Sequence, residues 1–199
     1  LRAAAAEAAG EAGGEGMSEL VRLALSDESV QVRAAAARVL GRLSAEEAVP
    51  LIRVALADEE AEIVAAAIEA AADARAPELA PRLRELVGAS DSLTAIRALR
   101  ALAQLGELDA PTFTRAVAHA DPEVVREALI AGAALPEAEA HGRALLSHPR
   151  WDLRATAARV LASSGGAGAA EAVARALERE PDALVREALE EACAQLRRR

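Results

Sequence analysis

One string returns along this chain: a turn rich in Asp, Glu and Pro, then a Val-Arg pair, then a run of small residues closing in a bulky pair. Its fullest copy runs from Ser26 and Asp27 through Val32, Arg33 and Ala34–Ala37 to Val39, Leu40 and Gly41. With Arg33 as anchor, related positions follow at Val64, Arg97 or its neighbour, Arg126, Arg154 and Arg186, at intervals of roughly 28 to 33 residues. A short amphipathic segment precedes each: 19–25, 49–56, 79–87, 112–118, 138–146 and 169–177. A unit this short cannot bury its own apolar face, so a chain built of such units must stack them.

The local chemistry points to two helices per unit. Asp27 is expected to cap the helix that follows it, its carboxylate accepting first-turn amides, and Gly41 to end that helix in the left-handed region. Ala36, Val39, Leu40 and Leu43 fall at helical spacing as the buried stripe. Pro50, Pro77, Pro111, Pro136 and Pro181 are expected in turns or at helix starts, where the missing amide is tolerated. Hydrophobic residues make up 53% of the chain but aromatics only 1%. Its apolar area is therefore mostly alanine, the strongest helix former, and burial must come from close helix–helix contact. The chain is expected to be all-α.

The order of a Leu-rich helix, an Asp-Pro-x-Val-Arg turn and an Ala-rich helix ending Leu-Gly resembles the HEAT-like repeat, in the short form of phycobilisome lyases and bacterial scaffold proteins. The match is best at 20–43, 113–134 and 142–162. The resemblance implies a right-handed α-solenoid, a superhelix of about six two-helix repeats. They are expected near 17–46, 47–75, 76–107, 108–135, 136–164 and 165–199. Residues 1–16 read as the second helix of an earlier repeat and a glycine-rich loop, because Leu1-Arg2-Ala3-Ala4 overlays Val32-Arg33-Ala34-Ala35. The expectation is a C-terminal piece of a longer protein, in which the missing partner helix leaves an apolar face exposed that favours self-association. The polar last helix and Arg197–Arg199 read as a cap.

Two sets of residues are candidates for a role. A ladder joining repeats is expected from Asp27, Asp58, Asp91 and Asp121 with Arg33, Arg126, Arg154 and Arg186; such pairs fix register more than they stabilise. A protein- or peptide-binding surface is expected on the concave side of the second helices. The fifth residue after each anchor gives Arg38, Glu69, Ala131, Arg159 and Glu191, a mixed-charge row that suits a protein partner. The third unit departs from the pattern over 88–104. Burying Arg100 and Gln104 would be costly, so its helix should turn to bury Ile96, Leu99 and Leu102 or Ala103 and present Arg97, Arg100 and Gln104 as a polar stripe. Arg82 and Arg84 add positive charge nearby, giving a docking patch for an acidic partner segment.

Other chemistry finds little support. The histidines His119, His141 and His148 lack the His-Glu steps of HEAT-like iron enzymes such as deoxyhypusine hydroxylase, so no metal or cofactor is expected. Trp151 and Asp152 invite comparison with HEAT-like DNA glycosylases, but one tryptophan in a chain of net charge −9 is a weak match. Trp151 is expected to pack between repeats and the lone Cys193 to be buried. The acidic balance disfavours nucleic acid and anionic lipid, and no apolar run is long enough to span a membrane. The expectation is a non-enzymatic interaction scaffold, bacterial and cytoplasmic. An accessory subunit of a modifying enzyme, bilin-lyase-like in architecture, is the alternative.

Overall fold

The computed structural model describes residues 16–166 and 168–198, so the expected helix around Arg2 and the self-association assigned to it lie outside the described residues. Among these residues there are helices and no strands. They are α1 Met17–Leu25, α2 Val30–Val39, α3 Ala45–Ala55, α4 Ala61–Asp73, α5 Ala80–Leu86, α6 Ser92–Leu105, α7 Ala110–Val117, α8 Pro122–Ala131, α9 Glu137–Leu145, α10 Trp151–Ser164, α11 Ala169–Leu177 and α12 Ala183–Leu196. They pair into consecutive hairpins, as an α-solenoid requires, and divide into two compact units, the first ending at Glu107 and the second starting at Leu108.

In the first unit α2 packs on α4 and α4 on α6, so the second helices form a continuous layer, while α1 packs on α3 in the other layer. In the second unit α10 lies between α8 and α12, and α9 touches both α7 and α11. The composition explains this. The second helices bury alanine on several sides at once: Ala34–Ala37 on α2, Ala67 and Ala70–Ala72 on α4, Ala155, Ala157, Ala158 and Ala162 on α10. With no side chain beyond Cβ, neighbouring backbones approach closely. Leu40, Ile52, Leu56, Ile63, Ile68, Leu79, Leu83 and Leu102 fill the space between layers and are fully buried, each contributing about 2 kcal/mol of transfer free energy. The expected stripe of Ala36, Val39, Leu40 and Leu43 is buried as well.

Helix ends differ from expectation at three places. The N-cap position of α2 is Ser29, while the Asp27 carboxylate accepts from the Ser29 amide at 2.9 Å. Gly41 is not left-handed; α2 tightens into a 3₁₀ turn over Leu40–Arg42. Left-handed glycines close α6 and α10 instead, at Gly106 (φ 72°) and Gly165 (φ 64°). Pro50 lies inside α3, because Ser44 starts that helix earlier as its N-cap: its Oγ accepts from the Glu47 amide at 3.4 Å and donates to the Glu47 carboxylate at 2.7 Å.

Candidate functional site

The turns between hairpin partners are the most regular chemistry in the molecule. Two residues before the N-cap position of each second helix stands one residue: Asp27, Asp58, Ala89, His119, His148 or Glu180. Except at Ala89, its side chain accepts from the amide two residues on: Asp58 from Glu60 at 2.9 Å, His119 Nδ1 from Asp121 at 3.0 Å, His148 Nδ1 from Arg150 at 3.1 Å and Glu180 from Asp182 at 3.0 Å. Carboxylate and imidazole are interchangeable here because the turn needs only an acceptor at the right reach.

Four residues past each N-cap lies the anchor position, and two anchors bind the next turn. Arg33 donates through Nε to Asp58 Oδ2 at 2.8 Å and through Nη2 to Oδ1 at 3.3 Å, while Nη1 holds the Asp27 carbonyl at 2.9 Å. Arg154 does the same to Glu180, at 2.7 Å for both contacts, with Nη1 on the carbonyls of His148 and Pro149. Arg186 holds the Glu180 carbonyl at 3.2 Å. Burial pushes the Asp58 carboxyl up, but the hydrogen bond from Arg33, the Glu60 amide and the Arg33 charge outweigh it and hold the group below its ordinary value. The hydrogen bond from Arg154 depresses the Glu180 carboxyl against the opposing effect of burial.

The ladder expected from sequence is corrected at three residues. Counted from its N-cap Asp121, the α8 anchor is Val125, and Arg126 lies one residue further, paired with Glu123 of its own helix at 2.9 Å. Asp121 and Asp91 stand at N-cap positions rather than at the turn position. Asp121 accepts from the Glu123 amide at 2.8 Å and Asp91 from the Thr94 amide at 2.9 Å.

The same register redraws the inner row. Nine residues past the N-caps come Arg38, Glu69 and Arg100 in the first unit and Ile130, Arg159 and Glu191 in the second, all exposed; Ile130 stands where Ala131 was expected. In the first unit, a groove of about 540 Å³ opens between α4 and α6, lined by Glu69, Asp73, Leu93, Arg97, Arg100 and Gln104 over a floor of Ile68, Ala72 and Ala101. The floor is buried, Leu93 at the rim is 52% exposed, and Arg97 Nε lies 3.6 Å from Glu69 Oε1. Leu99 and Leu102 are buried as expected, whereas Ile96 is half-buried and Ala103 exposed. A corresponding groove in the second unit lies between α10 and α12, with Trp151, Arg159, Leu184, Glu187 and Glu191 around Ala155 and Ala188. Trp151 is 51% exposed at its rim and is not packed between repeats.

Arg82 and Arg84 lie apart from these grooves, on the first helix α5. Arg82 donates to the Leu56 carbonyl at 3.2 Å and to Glu85 at 2.7 Å; Arg84 holds the Glu107 carbonyl and carboxylate, each at 2.9 Å. They tie helix ends rather than extending the stripe of Arg97, Arg100 and Gln104. His141 packs edge-on against the buried Phe113 ring, centroids 5.4 Å apart. Cys193 is half-buried. Among the described residues no cluster of three His, Cys, Asp or Glu could hold a metal, and no helix is long and apolar enough to cross a membrane.

Residues 1–72 and 17–92 match the HEAT repeats family. No curated protein matches the sequence. Among solved structures, the archaeal HEAT-like repeats protein from Thermococcus onnurineus NA1 is similar over 98% of this chain and 92% of its own, at 16% identity and a TM-score of 0.61. The complex of CpcE and CpcF of phycocyanin lyase from Nostoc sp. PCC7120 is similar over 98% and 88%, at 22% identity and a TM-score of 0.56. An engineered protein is similar over 92% and 99%, at 20% identity and a TM-score of 0.61. Identities this low speak to the fold.

Proposed function

We propose that this chain, a HEAT-like repeat protein, is a non-enzymatic scaffold that holds a segment of a partner protein along the exposed side of its second helices. The observation that carries the reading is the α4–α6 groove. A buried apolar floor of Ile68, Ala72 and Ala101 runs between walls of both charges, with Leu93 standing at the rim. That profile fits an amphipathic helix or extended peptide, whose apolar side chains take the floor while its charges meet Glu69, Asp73, Arg97 and Arg100. The α10–α12 groove repeats the theme with Trp151 beside the exposed Leu184, tryptophan being among the residue types that dominate interface energetics. The carboxyls held away from their ordinary values, Asp58, Asp91, Asp152 and Glu180 among them, are all lowered by cap or ion-pair partners. Such groups build turns; a general acid would need the opposite shift.

The reading as an accessory subunit of a modifying enzyme draws on the likeness to the CpcE–CpcF complex, which at 22% identity speaks to fold alone. The bacterial reading rests on arginine replacing lysine throughout, as the codon bias of a high-GC genome would give. The test of the scaffold is affinity capture with the wild-type chain and with Arg97→Glu/Arg100→Glu. A partner retained by the first and lost by the second, with helicity unchanged, supports it; equal retention by both refutes it.

A further inference from the structure

A cavity lies away from the inner grooves, at the turn edge of the second unit. It occupies about 740 Å³ between the C-terminal ends of α9 and α11; Arg143, Arg154, Arg175, Arg179 and Glu180 supply its charged lining, and Ser147 and His148 the rest of its polar lining. Glu180 and Arg154 neutralise one another at 2.7 Å. Among the described residues, the ion pairs of Arg143 and Arg175 are with carboxylates on their own helices, Glu139 at 3.7 Å and Glu171 at 3.4 Å, in half-exposed or exposed pairs that water screens. Arg179 has no ion-pair partner among the described residues. Three guanidinium groups thus face a cavity whose only lining carboxylate, Glu180, is already paired. Its remaining walls, Leu146, Ala172, Ala176, Pro149 and Pro181, are mostly apolar.

The first unit shows that this is no general property of the repeat. Counted from the turn positions Asp27 and Asp58, Arg22 and Arg53 match Arg143 and Arg175, so an arginine there is part of the repeat. Other counterparts shift the balance of the edge from positive to negative. Asp27 replaces His148, Glu28 and Glu59 replace the two prolines, and Ala57 replaces Arg179. Pro50 stands in place of Ala172, which narrows that edge.

We propose that the turn-edge cavity of the second unit binds an acidic peptide segment of a partner protein, one that places an aliphatic side chain between Leu146 and Ala176 with carboxylates on either side. Arg175 and Arg179 take one carboxylate and Arg143 another, in the planar geometry a guanidinium offers. Pro149 and Pro181, which present no amide and little flexibility, keep the mouth open. This surface is separate from the inner grooves, and the two succeed or fail independently.

The probe is a fluorescein-labelled hexapeptide of alternating leucine and glutamate, titrated by fluorescence anisotropy against the full chain at about 0.1 M salt, where charge attraction beyond about 10 Å is screened. Saturable binding is expected, weakened at least tenfold by Arg175→Glu/Arg179→Glu and unchanged by Arg22→Glu in the first unit or Arg100→Glu in the inner groove. The four changed side chains are solvent-facing, and far-ultraviolet circular dichroism checks that each variant folds. Absence of saturable binding overturns the proposal, as does equal weakening by Arg22→Glu, which would mark nonspecific attraction. So does displacement of the peptide by millimolar inorganic phosphate with no competition from a leucine–glutamine peptide carrying terminal glutamates, which would mark a phosphate site.

Discussion

Arg154 reaches from one hairpin to the next and grips Glu180 through both Nε and Nη2 at 2.7 Å, while its third nitrogen satisfies the His148 and Pro149 carbonyls of its own turn. One side chain thus closes its own turn and fixes the register of its neighbour. Arg33 and Asp58 do the same in the first unit, with a carboxylate one methylene shorter.

Arg154→Ala leaves the Glu180 carboxylate, 4% exposed, with its charge uncompensated by the arginine. The expected loss is about 2 kcal/mol, the range for a charged hydrogen-bond donor whose partner stays buried. Urea denaturation of Arg154→Ala, Glu180→Ala and the double variant checks it, and the double variant should cost less than the sum of the singles.

The same pairs set the acid limit. Asp58 and Glu180 both have folded-state values below those of the unfolded chain, so the native state binds fewer protons there. Their contribution is complete above the ordinary carboxylate range near about 4 and is lost as pH falls through the depressed folded values. Thermal melts between pH 7 and pH 3 should show midpoints falling at the acid end, and Glu180→Gln should flatten part of that fall while lowering stability at pH 7.

The helical repeat was legible in the sequence because alanine propensity and apolar spacing agree over every unit. The rungs were legible at Arg33 and Arg154, where an aliphatic–Arg pair, Val32-Arg33 or Leu153-Arg154, stands at a fixed distance from the cap. They misread at Arg126 because the dipeptide was the ruler. Asp121-Pro122-Glu123-Val124-Val125-Arg126 has one residue more between cap and arginine than Asp182-Ala183-Leu184-Val185-Arg186, and structure counts from the cap. His119, His148 and Glu180 were hidden for another reason. They share an acceptor position, not a residue type, so no motif displays them together. The stripe of Arg97, Arg100 and Gln104 was readable as helical spacing, but Arg82 and Arg84, close in sequence, belong to a different helix of the hairpin.

The register makes a rung transferable. Val64 occupies the anchor position of α4, and the next turn offers Ala89 where Asp58 and Glu180 stand elsewhere. Val64→Arg alone should destabilise, since it replaces a buried valine with an unpaired cation. Adding Ala89→Asp should recover about 1 kcal/mol or more of coupling energy. A double-mutant cycle by chemical denaturation measures it directly.

Gly132 holds the Phe113 ring against α8: a Cβ there would overlap Phe113 Cδ2 and Cε2, and Phe113 is fully buried. Gly132→Ala should cost about 1–3 kcal/mol by overpacking. Phe113→Leu in the same chain should recover part of that loss, while Gly106→Ala, with open space around its Cβ, should act through backbone strain at positive φ and gain nothing from the smaller ring.

The most direct test of the scaffold reading places a photo-crosslinking amino acid at Leu93, on the rim of the inner groove, and in separate chains at Leu20 and Val54, which are as exposed but lie on the first helices α1 and α3. After irradiation in a lysate of the source cells, the account predicts a defined protein adduct from position 93 that Arg97→Glu/Arg100→Glu abolishes, and little from positions 20 and 54. A silent position 93 beside strong adducts at 20 or 54 would contradict it.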